Sequence, residues 1–546
     1  MKRMIIIFSL FSSALNLLYA QQHALTKQWD KRFGGTLQED MTGVVEDRNN
    51  GYLLVGSSFS GISGDKTQDN WDNSYMSEDF WIVKIDSIGN KIWDRRYGGL
   101  WEDFPSNFQQ TKDGGSVLGG ESYSNIGGDK SKLSWGGGDY WVVKIDSASN
   151  KQWEGDYGGI EEDLLFGLRQ TSDGGYILGG TSYSPISGDK THANWGATDY
   201  WVVKTDSLGN KLWDADYGGT DYQFLYALCQ AADGGFILGG ISSSDISGDK
   251  TQANWAVGGY NFWVVKIDSA GNKIWDKVFG GTAEEDLRAM IATPDGGFLV
   301  GGWSLSGIGG DKTQNSQGGY DYWIIKIDSI GNKQWDKGYG GSGDDKLFSL
   351  ALTNDGGYLI GGDSQSQAGG DKTENNTTGM QTWIIKTDSS GNKQWDKTIF
   401  VNGNTATSSA FQTKDGCYVI GSFSGAEVGY YKSQPSWDSS SDYWIVKFCD
   451  TLINGITDIT ETDKVQLSIY PNPFATDIAI ALQKPDLKQA DFTICNTLGQ
   501  TVYTQHETNL SPSYTKMLDL RYLPNGVYFV EVVVDGERIT KEVVKE

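Results

Sequence analysis

Histidine is nearly missing from this chain: His23, His192 and His506 are the only three in 546 residues, and each stands alone. Zinc sites and Ser-His-Asp chemistry therefore have no support. Four cysteines are too few for a disulfide framework, and none has a partner base in view. Beyond the first twenty residues no apolar run approaches a membrane span. The Gly-Gly pairs end apolar strands and do not open helices, which excludes a phosphate-binding glycine loop. Cationic residues are outnumbered, 45 against 70 acidic ones, and the net charge of −25 would repel nucleic acid and anionic lipid. Proline is scarce at nine copies, whereas glycine (73 copies) and aromatics (13%) are abundant, the mark of an all-β repeat protein.

Residues 1–20 read as a secretory signal: Lys2 and Arg3, the apolar run Met4–Leu10, and Ala20 before Gln21. Ser9, Ser12, Ser13 and Asn16 interrupt the apolar stretch, so cleavage is expected over anchoring. The mature chain then has no transmembrane segment.

Two tryptophan series recur seven times each, about sixty residues apart. One is Trp81, Trp141, Trp201, Trp263, Trp323, Trp383 and Trp444; the other is Trp29, Trp93, Trp153, Trp213, Trp275, Trp335 and Trp395. Such a period marks one supersecondary unit repeated around a shared core. Within a unit, Asp-Gly and Gly-Asn turns separate short apolar strands, so four strands, A to D, form an antiparallel meander. Segments such as Tyr140–Lys144 are apolar on both faces and must be covered on both sides.

The second series begins before the first, and the first ends at Trp444 with no partner behind it. The expected fold is therefore a seven-bladed β-propeller over residues 21–450. Its last blade takes strands A to C from the C-terminal end and its outermost strand from around Trp29. Meander geometry puts the tight A–B and C–D turns on one face, and the long B–C loops and D–A crossovers on the other. The long-loop face is the expected binding face. Cys417 and Cys449 fall at adjoining ends of strands B and C in the closing blade, where a cross-strand disulfide is possible.

Periodicity stops near Asp450. Residues 451–464 read as a polar linker, and 465–546 as a small Ig-like antiparallel β-sandwich with turns at Gly499, Gly526 and Gly536. It holds Tyr470-Pro471-Asn472-Pro473, Asn496-Thr497-Leu498-Gly499-Gln500-Thr501-Val502, Pro524-Asn525-Gly526-Val527-Tyr528-Phe529-Val530 and a basic tail. These segments, in this order and spacing, resemble the type A C-terminal sorting domain of the bacterial type IX secretion system. The resemblance implies that type IX machinery is a partner and that the protein is released or attached at the cell surface.

Three sets of residues are candidate sites. Gly-Asp-Lys recurs in six B–C loops at Asp65, Asp129, Asp189, Asp249, Asp311 and Asp371. The expected role is an Asp capping its own loop, with Lys covering apolar surface. Asp40, Asp103, Asp163, Glu285 and Asp345 recur at the start of strand A, with Gln223 and Thr405 breaking the series. Were strand A to line the axis, these carboxylates would crowd one mouth of the channel and could hold Ca²⁺. Trp71, Trp135, Trp195, Trp255 and Trp437 lie in B–C loops. They suit stacking on a glycan or partner protein, or folding back as lids. Trp101 and Trp303 fit neither series nor loop.

The expected function is an exported binding or scaffolding module without catalysis or an obligatory cofactor. The alternatives are a polysaccharide lyase or glycosidase using channel-mouth carboxylates, and a structural or adhesion protein of the surface.

Overall fold

The structure, a computed structural model, describes residues 22–72, 77–255, 258–453, 466–484, 487–497, 500–534 and 537–546. The expected signal segment, residues 454–464 of the linker, and the turns at Gly499 and Gly536 lie outside the described residues. The chain divides into two compact units, His23–Thr451 and a second holding the residues from Leu452 onward. Apart from a 3-10 turn at Trp437–Ser439, the described regular structure is all strand.

The first unit contains seven four-stranded sheets. In sheet 1 strands A to D are Glu39–Glu46, Tyr52–Ser58, Asp79–Ile85 and Lys91–Tyr97, in that lateral order. Sheets 2 to 6 repeat the pattern, starting at Asp103, Asp163, Gln223, Glu285 and Asp345. Sheet 7 is built from Ala406–Gln412, Tyr418–Ser424 and Asp442–Ile453, with Gln22–Phe33 as its fourth strand.

The two tryptophan series explain this arrangement. Each strand C indole is fully buried, and its N–H needs an acceptor. Strand D supplies it one residue after its own tryptophan: Trp81 donates to Asp94 (3.1 Å), Trp263 to Asp276 (3.1 Å) and Trp323 to Asp336 (3.1 Å). In sheet 7 the acceptor is Asp30, 3.1 Å from Trp444 Nε1 and 414 residues away in the chain. Sheet 2 carries Glu154 in place of the aspartate, and there the Trp141 N–H has no partner.

Apolar residues on both faces of strands B and C bury against neighbouring sheets. Leu53, Val55 and Phe80 of sheet 1 share a core with Leu118, Trp141 and Val143 of sheet 2. Equivalent cores join sheets 2 and 3, 3 and 4, 4 and 5, 5 and 6, and 6 and 7. A seventh joins Val419, Tyr443 and Ile445 of sheet 7 to Met41, Leu54 and Trp81 of sheet 1, so the succession of sheets returns to its start. Tyr443 OH donates to the Trp81 carbonyl across that junction (3.0 Å). The closing sheet also carries a disulfide between Cys417 and Cys449, next to the paired residues Tyr418 and Phe448.

The second unit has two sheets. One orders Gln466–Tyr470, Asp477–Gln483 and Ser513–Asp519; the other orders Thr501–Thr508, Gln489–Asn496, Gly526–Val534 and Glu537–Lys545. Ile478, Ile480 and Leu518 of the first meet Phe492, Ile494 and Val530 of the second in one core.

Candidate functional site

Strand register assigns the connections to opposite ends of each sheet. At the tight-turn end, aspartates of the A–B turns accept their own turn's N–H and pair with a strand C lysine, as Asp113 does with Lys144 at 2.8 Å. Burial opposes ionisation there, but these bonds prevail and hold Asp113, Asp173 and Asp295 down to about 2. The longer connections gather at the other end.

There the loop tryptophans reach the next sheet. Trp71 Nε1 donates to Asp129 (2.9 Å), Trp135 to Asp189 (2.9 Å), Trp255 to Asp311 (2.9 Å) and Trp437 to Asp65 (3.3 Å). Trp195 bonds Asp249 in the same way. Each acceptor is the Asp of a Gly-Asp-Lys segment. The glycine before it admits the indole: a Cβ on Gly128, at φ +62, would sit 2.6 Å from the Trp71 ring. Arg96 stacks on Trp71 and Arg32 on Trp437, each 4.5 Å from the ring. The indoles are thus latches between sheets: each bonds the next sheet, while the arginines stacked on Trp71 and Trp437 belong to the indole's own sheet. Trp135, Trp195 and Trp255 still expose 53, 57 and 53% of their surface.

The Gly-Asp-Lys expectation changes too. Asp129 accepts the N–H of Gly98 (3.3 Å), which lies in the crossover from the previous sheet, so it clamps more than its own loop. The lysines do not cover surface. Lys66, Lys130, Lys190, Lys250, Lys312 and Lys372 are all buried, as is Lys432 of sheet 7. Lys312 Nζ, for example, donates to Ser304 (3.1 Å), the Ser306 carbonyl (2.9 Å) and Ser316 (2.7 Å).

The structure does not gather the acidic series at the start of strand A into one cluster. Its member in sheet 1 is Glu39, which pairs with Ser58 as Asp103 pairs with Ser122; Asp40 stands one residue further on and faces Ser57. Asp103, Asp163, Glu285 and Asp345 are fully buried, each held in its own sheet by a glycine N–H at 2.7 to 3.0 Å. Among the described residues no three His, Cys, Asp or Glu side chains gather to hold a metal ion. The tertiary structure separates what the repeat suggested it would collect.

Each of these acids instead meets the first residue of strand C in the preceding sheet. Four junctions set carboxyl against carboxyl: Asp79 with Asp103, Asp139 with Asp163, Asp321 with Asp345, and Asp442 with Glu39. Burial pushes Asp79, Asp321 and Asp442 up to about 7, with the facing acid adding to the rise. The Oδ1 atoms of Asp79, Asp103, Asp321 and Asp345 have no hydrogen-bond partner. At the junction of sheets 4 and 5, Asn261 replaces the first acid and its Nδ2 donates to Glu285 at 2.6 Å.

The A strands converge on a cavity of about 440 Å³ lined by Thr42, Ser106, Arg169, Ser349 and Ser408, one each from sheets 1, 2, 3, 6 and 7. Apart from Asp40, the residues near its long-loop end escaped the sequence reading because they do not repeat. Paired positions on strands A and B read Asp40–Ser57, Phe104–Glu121, Leu164–Thr181, Phe224–Ile241, Asp286–Trp303, Lys346–Asp363 and Ala406–Phe423. Trp303, outside every sequence pattern, belongs here. The available signal was the strand B position, which differs in every copy of an otherwise regular repeat.

Comparison with known proteins separates the two units. Over 250 residues the chain is 24% identical to the Regulatory protein FlaEY of Caulobacter vibrioides, covering 43% of this chain and 25% of that one. The chain thus spans about a quarter of the length of the curated relative it matches. Among solved structures it is similar to a gluconolactonase from Xanthomonas campestris (8% identity, TM-score 0.31, covering 78% of this chain and 100% of that one). It is also similar to an apocarotenoid oxygenase from Synechocystis (10% identity, TM-score 0.34, covering 91% and 96%). These distant likenesses carry no activity across. Residues 468–546 match the family described as Secretion system C-terminal sorting domain. The chain therefore carries a type IX secretion sorting domain and is exported by that system to the cell surface or extracellular space.

Proposed function

We propose that His23–Thr451 is a seven-bladed β-propeller acting as a non-catalytic binding or scaffolding module outside the cell. A cleaved N-terminal signal starts its export across the outer membrane, and an Ig-like tail completes it. The observation that carries the ring is the seventh core, where sheet 7, completed by the N-terminal strand, packs on sheet 1. The carboxylates and lysines at the junctions serve the scaffold. The exposed faces of Trp135, Trp195 and Trp255 remain free for a glycan or protein partner. A saturable pull-down of purified protein by washed cell-surface material, without release of reducing ends, is the expected result. Absence of retention would refute the binding role.

One observation favours an enzyme as the second reading. Glu78 and Glu121 sit together at the long-loop end, and burial pushes both up to about 7, near Asp40, Glu102 and Glu162. A carboxyl raised by burial within a group of acids is one requirement of general acid catalysis of glycoside cleavage. Reducing ends released by the wild type but not by Glu78→Gln or Glu121→Gln would establish it.

A further inference from the structure

Along the long-loop end of the axis, sheets 1, 2 and 7 contribute Ser57, Glu121 and Ala406 beside the rings of Phe104, Tyr123 and Phe423. Among the described residues no cation stacks on those three rings. Sheets 3 to 6 bring further aromatic rings. Tyr222, Phe224 and Tyr226 alternate along the start of strand A in sheet 4. The first two rings are parallel within 3° at 6.3 Å, the next pair within 17° at 6.5 Å. Tyr260 lies 6.2 Å from Phe224, and Phe166 of sheet 3 lies 5.1 Å from Tyr226. Arg288 of sheet 5 stacks on Tyr226 at 3.8 Å and on Trp303 at 4.9 Å. Lys346 of sheet 6 stacks on Trp303 at 5.3 Å and on Tyr320 at 4.9 Å. Beside the rings, Asp286 binds Arg288 at 2.8 Å, yet Asp286 Oδ1 and Arg288 Nε are buried without partners. Glu284 accepts from Tyr320 OH at 2.9 Å.

From this geometry, and resting on the binding role given above, we propose that the sector from Tyr222 to Lys346 binds a neutral saccharide. A pyranose presents an apolar C–H face to an aromatic ring and a rim of hydroxyls to carboxylate and guanidinium groups. The cations already cover Tyr226 and Trp303, which leaves Tyr222, 42% exposed, and Tyr260 as stacking platforms. A purely apolar ligand would leave the free atoms of Asp286 and Arg288 unpaired. A polyanion would meet Glu162, Glu284, Asp286 and Asp344. In a chain whose other positions repeat from sheet to sheet, the interleaving of rings with Arg288 and Lys346 in this sector alone needs a cause, and a ligand bound there supplies it.

The test is calorimetric titration of the full chain with neutral cello-, xylo-, manno-, laminari- and galacto-oligosaccharides. At least one should bind saturably. Tyr222→Ala, Tyr260→Ser and Asp286→Asn should each weaken it about tenfold or more at an unchanged melting temperature, while Leu208→Ser on a tight turn should not. Binding that ignores all three sector variants would overturn the site, as would failure of every oligosaccharide. Surface material retained without competition by these sugars would leave the binding role standing and this site refuted. Loss of both would refute both.

Discussion

Replacing Asp321 by asparagine should stabilise the first unit at pH 8 and leave it nearly unchanged below about pH 4. Asp321 accepts the Gln317 N–H at 2.6 Å through Oδ2, while its Oδ1 and that of Asp345 are buried without partners. Burial, with Asp345 adding to it, raises the Asp321 carboxyl from 3.8 to about 7. The folded state then holds this proton more firmly than the unfolded chain does. Its stability is full below about pH 4 and falls as pH rises toward 7. At about 1.4 kcal/mol per pH unit, the ionised pair costs on the order of 2–4 kcal/mol at pH 8. An asparagine keeps the Gln317 contact and donates to Asp345, as Asn261 donates to Glu285 at 2.6 Å in the same chain. The converse variant, Asn261→Asp, should install the same pH sensitivity between sheets 4 and 5. Urea unfolding followed by tryptophan fluorescence at the two pH values measures the gap. If Asp321→Asn is no more stable than the wild type at pH 8, the buried acid pair is not under the strain ascribed to it.

Other consequences follow from how sheet 7 is fastened. Asp30→Ala removes the acceptor of Trp444 Nε1 and of the Ser433 N–H at 2.7 Å, a loss of about 2–3 kcal/mol. Hydrogen exchange in residues 22–33 should rise far more than exchange in strand D of sheet 4 rises on Asp276→Ala, where chain continuity holds the strand in place. Equal effects would contradict closure through sheet 7. Serine at both Cys417 and Cys449 frees a loop with a separation of 32 residues. Stability should fall by up to about 3–4 kcal/mol on loop entropy, read as a lower urea midpoint with unchanged far-UV circular dichroism. Deleting residues 468–546 should stop delivery, leaving the first unit in the cell-associated fraction. Its appearance in the medium would show that export does not depend on the tail.

The seven-fold organisation was legible because burying an indole is chemically demanding. Strand C tryptophans other than Trp141 find an acceptor on strand D, and a series that starts with Trp29 and ends with Trp444 leaves Asp30 as the acceptor for the last. The tail was legible because its motifs stand in a specific order. The loop tryptophans misled in one respect. Their partners lie 54 to 58 residues away in the next sheet, a distance close to one period, where same-sheet and next-sheet contacts look alike in sequence. The carboxylates of strand A misled in another. A one-residue choice between Glu39 and Asp40 decides whether a side chain is buried or faces the axis.

Alternation of apolar residues and turn glycines, by itself, was enough to specify the four-stranded sheets of residues 22–453 and that Gln22–Phe33 joins the sheet of Asp442–Ile453. Only the tertiary structure decided which polar groups became neighbours. It buried the repeating acids and lysines between sheets and gathered non-repeating rings from Tyr222 to Lys346 on one side of the axis. The reason is physical: strand formation answers to local pattern, whereas proximity between side chains of different sheets depends on how those sheets pack against one another.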